Sequence, residues 1–323
     1  MLSGFFTVFA GVLGLAFGSF LNVCATRWPC GESAAAGRSR CRACSRTLAA
    51  WENVPLASWL LLRGRCRSCK ASIGWRYPLV ELAVGGLWAF AAWRILAGAV
   101  HLSLPLGVLG YQLSVAAGWM VFLWLLVALA VLDAENLWLP DRLVGPGIVL
   151  GVLATTGWLT AASRLDKIDG LAPAALPATM GALSAVRMGN VLEAIGVPGG
   201  GSFRASLLLA IASPILAAAP ILLIRWLYRL VRHREGIGLG DAKLMAMLAA
   251  WLGLEGALLA FCIGSVLGAL IALVLLAQSR AWRGRTDWAL TKLPLGSFLC
   301  LGAAVSLFWG RSWIEFYLRW AGF

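Results

Sequence analysis

Charged side chains are scarce in this chain. Only 13% of its 323 residues are Asp, Glu, Lys or Arg, whereas about 25% is usual for a soluble protein. Apolar residues make up 61%, and they form repeated runs that approach the ~20 residues a helix needs to cross a bilayer. This composition excludes an ordinary soluble domain and predicts an all-α polytopic membrane protein.

Acidic residues are fewer still, at 14 against 27 Lys and Arg, which leaves a formal net charge of +13. Nucleic-acid binding is one explanation for such a basic chain. The basic residues, however, concentrate in connections between apolar runs, and residues 24–76 alone hold ten of them against two acids. The positive-inside rule accounts for this distribution. We therefore predict a lipid bilayer and no nucleic acid as partner, with the basic connections in the cytoplasm.

Eight apolar segments predict about eight membrane helices. The sixth is too short to cross upright and is expected to be short or half-depth. Counting it as a crossing places the basic connections on one side and both termini outside. The first segment lacks a basic stretch before it and a small-residue cleavage site, so we expect it to be retained. The segments are 3–23, 78–98, 110–132, 143–162, 205–228, 243–254, 256–278 and 295–318.

Four cysteines form two C-x-x-C pairs, Cys41 with Cys44 and Cys66 with Cys69, and 21 residues separate the pairs. Two such pairs supply the four thiolates that tetrahedral zinc binds at ~2.3 Å, and disulfides are not expected in a reducing compartment. Because four cysteines leave zinc no open coordination position, the predicted metal is structural. Free thiols or a redox pair are the alternatives.

Two aspartates lie where apolar runs meet polar connections. Asp133 ends a long apolar run, and Asp241 opens another. Two carboxyls that share a site cannot both ionise easily, so such a pair holds a general base and a general acid together. That arrangement activates water for peptide hydrolysis. The alternative is that both are helix-end residues, with Asp241 as an N-cap.

The stretch "GIGLGDAKL" (236–244) places glycines and a lysine beside Asp241. Gly238 and Gly240 permit backbone conformations closed to other residues, which would let a substrate strand approach. Lys243, two residues beyond the aspartate, is placed to orient it. We name these three as supporting residues.

The chain resembles the type IV prepilin peptidases, GxGD-type membrane aspartyl proteases that also methylate the mature pilin. Each shared motif is short, but their common order and spacing make the resemblance specific. The motifs are "FGSFLNVCATRWP" (17–29), "ENVPLASWLLLRGRCRSC" (52–69), "RYPLVEL" (76–82), "LDAENLWLPDRL" (132–143), "GIGLGDAKL" (236–244) and "LPLGSFLCLGA" (293–303).

The resemblance implies that Asp133 and Asp241 are the catalytic pair. It implies cleavage of a short basic leader from type IV prepilins or type II secretion pseudopilins, after a glycine, at the cytoplasmic face of the bacterial inner membrane. It also implies N-methylation of the new N-terminal residue, with S-adenosylmethionine as methyl donor. Two positions depart from the family pattern, because Ser297 stands where proline is common and Cys24 where an aliphatic residue is common.

On this interpretation the chain has three parts. Residues 1–23 form the first membrane helix, 24–76 a cytoplasmic zinc-binding loop domain, and 77–323 a membrane catalytic domain. Within the last part, 163–203 is rich in Gly, Pro and small residues, and it predicts an external loop with room for one short helix.

Two other functions stay open. A proton-coupled transporter would use Asp133, Asp241 and Glu81 as a relay and favours acids at mid-depth, whereas a peptidase favours them at the membrane boundary. A zinc-bearing scaffold would need neither. Glu81 lies within an apolar segment, where an acid indicates function, and it is our candidate for binding the methyl donor. A pairing with Arg76 or a place beside a polar cavity are its alternatives.

Overall fold

The structure is a computed structural model that describes residues 2–35, 37–96, 106–169, 180–194, 197–232, 238–281 and 293–322. Gly236 and residues 170–179 of the predicted external loop lie outside these residues. The described helices are α1 (Leu2–Arg27), α2 (Ala57–Leu61), α3 (Arg76–Leu96), α4 (Leu106–Asn136), α5 (Asp141–Asp169), α6 (Met180–Ala194), α7 (Phe203–Arg232), α8 (Leu239–Ala281) and α9 (Leu295–Trp320).

Within the described ranges, seven helices are long and apolar enough to cross a membrane, which confirms the all-α polytopic fold class. The predicted sixth and seventh segments are the two parts of α8, which is interrupted at Gly253 (φ 70°, ψ 177°). At 1.5 Å per residue, the part from 239 to 252 is about 21 Å long, which is less than the ~30 Å hydrocarbon core. The short segment expected from the sequence is therefore the N-terminal part of α8.

The chain divides into two compact units, Met1–Ala128 and Leu129–Phe323. In the first, α1 and α3 pack through small residues. A methyl group added at Gly14 would lie 2.9 Å from the Cα of Gly85, and one added at Gly18 would lie 2.7 Å from the Cα of Glu81. Small residues at these positions let the two backbones touch, which is a common way for membrane helices to associate.

The second unit is built around α8, which packs against α5, α6, α7 and α9. The part of α8 before Gly253 is almost wholly buried, with Leu244, Leu248 and Leu252 completely enclosed. The contact with α9 is close, because a methyl group at Gly302 would lie 2.3 Å from the carbonyl oxygen of Ala260. The start of α8, where Asp241 lies, therefore belongs to a tightly packed bundle.

Most of the described part of 163–203 is helical. Helix α5 continues to Asp169, and α6 covers Met180–Ala194. Helix α6 packs against its neighbours in the bundle, with Ala182 and Ala185 in a buried cluster with Leu159 and Ala210. Its small side chains are what permit this close packing.

Candidate active site and metal centre

The four cysteines of the loop after α1 come together. The sulfur atoms of Cys41, Cys44, Cys66 and Cys69 all lie within 4.8 Å of one another. Those of Cys41 and Cys69 are 3.8 Å apart, which matches the roughly 3.8 Å separation that a tetrahedron of Zn–S bonds of ~2.3 Å requires. The donor set and its dimensions therefore fit one zinc ion.

The two C-x-x-C pairs have the same backbone structure. The N–H of Cys41 donates to the carbonyl of Arg46 and that of Cys66 to Ala71, at 2.9 and 2.8 Å. Ser45 and Lys70, each the first residue after its second cysteine, have φ of 56° and 59°. The segments "RCRACSRT" (40–47) and "RCRSCKAS" (65–72) are thus two copies of one metal-binding turn, a local repeat that the sequence analysis missed.

In the second turn, the backbone favours the thiolate form of one cysteine, Cys66. The backbone N–H groups of Cys69 and Ser68 donate to the sulfur of Cys66 and lower the pKa of this thiol from 9.0 to about 6. Since zinc binds the thiolate rather than the thiol, this backbone favours the metal-binding form of Cys66 near neutral pH.

We expect purified protein to contain about one zinc per chain. Replacing Cys66 with serine should release the metal and increase hydrogen exchange across residues 40–72, because a loop of this size has too little core to hold its fold alone. Exchange within the membrane helices should stay unchanged. Elemental analysis and exchange measured by mass spectrometry check this, and zinc-free protein with four titratable thiols would contradict it.

Glu52 holds the segment between the two turns. Its side chain is buried, its Oε2 accepts the N–H of Ala49 at 2.7 Å, and the Arg46 guanidinium donates to the same oxygen at 2.7 Å. The Ala49 N–H, followed by the charge of Arg46, lowers the pKa of Glu52 below its ordinary value. Arg46 lies within the first of the two turns, so this ion pair connects that turn to the rest of the loop.

A Glu52→Gln substitution should therefore weaken the loop in a pH-dependent way. Glu52 stays ionised in the folded loop at lower pH than in the unfolded chain, so its contribution is complete above the ordinary carboxyl pKa of about 4.3 and is lost as pH falls below it. Hydrogen exchange of residues 47–53 should differ between the variant and wild type at neutral pH and converge in acid. An equal difference at both pH values would contradict the role of the charge.

Glu81 is engaged in hydrogen bonds within the first unit. Its Oε2 accepts the N–H of Leu56 at 2.8 Å, and the hydroxyl of Ser19 also donates to the carboxyl. Glu81 therefore connects the loop to α1 and α3. Its assignment to the methyl donor stays a prediction.

Asp133 lies in the last turn of α4, and its side chain is buried. The hydroxyl of Ser297 donates to the carbonyl of Ala130 at 2.8 Å and lies 3.2 Å from Oδ2 of Asp133. That Oδ2 accepts the backbone N–H of Ser297 at 2.7 Å, and the backbone N–H of Gly296 also donates to the carboxyl. These donors belong to the first turn of α9, where N–H groups lack partners within the helix. The start of α9 is thus an anion-binding site, and Asp133 occupies it.

Asp241 lies in the first turn of α8. Its carboxyl and that of Asp133 are close enough to interact through their charges, although the two residues are far apart in the sequence. Leu139, in the connection from α4 to α5, explains how they meet. A methyl group added at Gly240 or at Gly296 would lie 3.2 Å from the same carbon, Leu139 Cδ1. The starts of α8 and α9 therefore both pack against this leucine.

The predicted supporting residues lie around Asp241. A methyl group at Gly238 would be 3.5 Å from Asp241 Oδ2, so any larger side chain there would crowd the carboxyl. Lys243 forms an exposed ion pair with Asp141, at 2.7 Å. Its direct partner is thus Asp141 rather than Asp241, and the pair connects the start of α8 to the start of α5.

Sequence reasoning did not assign Gly296 and Ser297 to the site. Their signal was present, because "LPLGSFLCLGA" was among the motifs of the resemblance and Ser297 departs from the family's usual proline. A proline at this position would have no N–H to donate. The hydrogen bond from the Ser297 N–H to Asp133 is therefore a feature of this chain that only the structure reveals.

Comparisons with known proteins agree over nearly the whole chain. Residues 12–95 match the bacterial peptidase A24 N-terminal domain, and residues 120–273 match the type IV leader peptidase family. A protein of Stutzerimonas stutzeri described as a prepilin leader peptidase/N-methyltransferase is 33% identical, covering 98% of this chain and 95% of its own length. Proteins with the same description from Pseudomonas aeruginosa and Burkholderia pseudomallei strain 1026b are 32% and 34% identical, covering 97% and 99% of this chain and 93% and 90% of their own lengths. No solved structure matches the chain.

Proposed function

Because this chain belongs to the type IV leader peptidase family, we propose that it is a membrane aspartic endopeptidase that removes the basic leader from type IV prepilins or type II secretion pseudopilins after a glycine, with Asp133 and Asp241 as its catalytic pair. The observation that carries this proposal is the geometry around Leu139: Asp133 accepts hydrogen bonds from the first turn of α9, Asp241 lies in the first turn of α8, and both helix starts pack against this leucine. The protein also N-methylates the new N-terminal residue.

The hydrogen bonds around the pair suggest separate roles. The backbone N–H groups of Gly296 and Ser297 donate to the carboxyl of Asp133, and bonds of this kind favour the ionised form of a carboxyl. Among the described residues, no hydrogen bond reaches the carboxyl of Asp241. We assign Asp133 as the base that takes a proton from water, and Asp241 as the acid that protonates the scissile carbonyl oxygen. The water oxygen then bonds to the carbonyl carbon, and the peptide C–N bond breaks when the nitrogen receives a proton.

The transporter alternative receives no support from the comparisons. The positions of the acids also disfavour it, because Asp133 lies three residues before the end of α4 and Asp241 two residues after the start of α8. A relay would need acids along the middle of the helices. The scaffold alternative leaves the paired carboxyls without a purpose.

Methyl transfer rests on the family rather than on a site in this chain. S-adenosylmethionine would supply the methyl group, and the amine exposed by cleavage would accept it. Glu81 is the candidate for binding the donor, although its carboxyl already accepts hydrogen bonds from Leu56 and Ser19. Methyl transfer needs a free amine and a methyl donor but no activated water, so we treat the two activities as having separate sites.

An assay of the purified protein in proteoliposomes tests the proposed function. A prepilin-type substrate should lose its leader after the glycine, and with S-adenosylmethionine the product should be heavier by one methyl group. A substrate whose glycine is replaced by a bulky residue serves as the control and should stay intact. Wild-type protein that cleaves neither substrate would refute the peptidase.

We place the active site at the cytoplasmic face of the inner membrane, because the basic connections mark that side. Cys30 is an exposed native cysteine in the basic loop after α1, and Asp169→Cys adds one at the end of α5. In intact cells, an impermeant maleimide should label position 169 and leave Cys30 unlabelled until the membrane is permeabilised. Mass spectrometry assigns the labelled sites, and the reverse pattern would overturn this orientation.

A further inference from the structure

The interruption of α8 at Gly253 leaves backbone groups without partners inside a membrane helix. A side chain is excluded at this position, because φ is +70° and a methyl group would lie 2.4 Å from the Cβ of Ser184. The last carbonyls of a helix have no N–H partner within it. In a lipid environment, where water cannot replace that partner, such groups must be satisfied by other parts of the protein.

Hydroxyl groups from three neighbouring helices satisfy them. Thr155 of α5 donates to the carbonyl of Ala250 at 2.8 Å. The hydroxyl of Ser213 in α7 lies 3.0 Å from the carbonyl oxygen of Ala249 and 2.9 Å from that of Ala210 in its own helix, so its one proton is shared between them. Beyond the interruption, the N–H of Glu255 donates to the hydroxyl of Ser184 in α6 at 3.3 Å. Thr155, Ser184 and Ser213 are all buried.

Two further contacts stabilise α8 on either side of Gly253. The indole N–H of Trp251 donates to the carbonyl of Gly147 in α5 at 2.9 Å. Arg187 of α6 forms an ion pair with Glu255, at 3.0 Å, just after the interruption. The end of the helical part that begins at 239 is therefore attached by polar contacts to α5 and α7, and the next turn to α6.

We propose that Thr155 and Ser213 are positioning residues that set the depth and rotation of the part of α8 carrying Asp241, and thereby its placement against Asp133. This inference rests on the proposed function. The part from 239 to 252 is a rigid helix, so whatever holds its end at Ala249 and Ala250 also determines where Asp241 lies. A slip of one residue would move Asp241 by about 1.5 Å along the axis and rotate it by roughly 100°.

Such a displacement would reduce the rate of the chemical step rather than substrate binding. A misplacement of about 1 Å at a catalytic group can cost on the order of 100-fold in rate, even when its cause is remote. Methyl transfer to an already cleaved substrate does not use Asp241 and should not change. This difference between the two activities separates positioning from a general loss of stability.

Adjacent threonines in α5 allow a matched test. Thr155→Val keeps the shape of the side chain but removes the donor to Ala250. Thr156→Val is the control, because the hydroxyl of Thr156 bonds to the carbonyl of Val152 in its own helix. Thr155→Ser restores the hydroxyl. We expect Thr155→Val to lower kcat for leader cleavage by at least ~10-fold with little change in KM, and to alter the pH profile of cleavage, since the profile depends on the separation of the two carboxyls.

Methyl transfer and the control variants give the remaining expected results. Methyl transfer by Thr155→Val should equal that of wild type, while Thr155→Ser and Thr156→Val should both cleave at close to the wild-type rate. Hydrogen exchange of residues 249–255 should increase in Thr155→Val alone, which is a measurement independent of activity. Should Thr155→Val fail to fold, Ser213→Ala removes the neighbouring donor and is subject to the same criteria.

Two results would overturn the inference. One is a Thr155→Val enzyme that cleaves with the same kcat and pH profile as Thr156→Val. The other is a parallel loss of cleavage and methyl transfer together with a lower Tm, which would make the role structural only. Failure of the proposed function is tested separately with Asp241→Asn. Full cleavage by Asp241→Asn would refute the catalytic pair, independently of the result for Thr155→Val.

Discussion

Replacing either Asp133 or Asp241 with asparagine should lower leader cleavage by at least about 10³-fold, since each carboxyl takes part in proton transfer and such transfer contributes typically 10²–10⁴-fold. Asparagine has the same shape as aspartate but can neither take a proton from water nor give one to the carbonyl. In Asp133→Asn, the Ser297 N–H can still donate to the amide oxygen. The helix starts should therefore keep their positions, and the variant should stay folded.

Methyl transfer should survive both substitutions. It needs a free amine and a methyl donor but no activated water, so an already cleaved substrate should be methylated at the wild-type rate. Both activities are measured by mass spectrometry on the same protein preparation, with a melting curve to confirm folding. Glu135→Gln, an exposed acid in the same turn of α4 as Asp133, serves as the control and should cleave normally.

Two outcomes would contradict this account in different ways. Full cleavage by a folded Asp133→Asn or Asp241→Asn protein would refute the catalytic pair. Loss of both activities in a folded variant would leave the pair in place but refute the separation of the two sites.

Gly296→Ala should also abolish most cleavage, although it adds only a methyl group. That methyl would lie 2.9 Å from Asp133 Oδ2 and 3.2 Å from Leu139 Cδ1, a separation too short to accept without movement. Because Asp133 is held by the first turn of α9, the carboxyl must turn away from these N–H donors or the helix start must move. Either change displaces the base, and we expect a loss on the order of 100-fold in kcat.

Two other glycines make this prediction specific. Gly240→Ala places its methyl 3.2 Å from Leu139 Cδ1, a side chain that can shift more easily than the carboxyl held at the start of α9, so its effect should be smaller. Gly145→Ala has open space around the added methyl and should cleave normally. Equal kcat values for Gly296→Ala and Gly145→Ala would show that the start of α9 does not hold Asp133 during the reaction.

The helices themselves were predictable because their signal is local. An apolar run of sufficient length must become a helix in a bilayer, since the backbone has to satisfy its own hydrogen bonds there. The predicted span of 295–318 and the observed Leu295–Trp320 differ by two residues at one end. The clustering of the four cysteines was predictable for a similar reason, because each C-x-x-C pair determines the geometry of two sulfur atoms by its spacing alone.

The interruption of α8 was only partly visible in the sequence. The short apolar segment 243–254 indicated a helix that does not cross the whole bilayer. It did not indicate which side chains would form hydrogen bonds with the unpaired backbone groups. A single threonine or serine, such as Thr155 or Ser213, occurs in many helices without such a role. Their role depends on which helices pack beside Gly253, and that is a property of the whole bundle.

The sequence alone determined the membrane class and the family, and it named the four cysteines as candidate metal ligands and the two aspartates as candidate catalytic residues. Composition, spacing and motif order suffice for this because they are local or additive properties of the chain. Only the tertiary structure decided that Asp133 lies against the first turn of α9, that Ser297 donates to it and that Leu139 packs against both helix starts. These contacts join residues far apart in the chain. They follow from how helix surfaces of particular shape pack together, and no local pattern of residues records that packing.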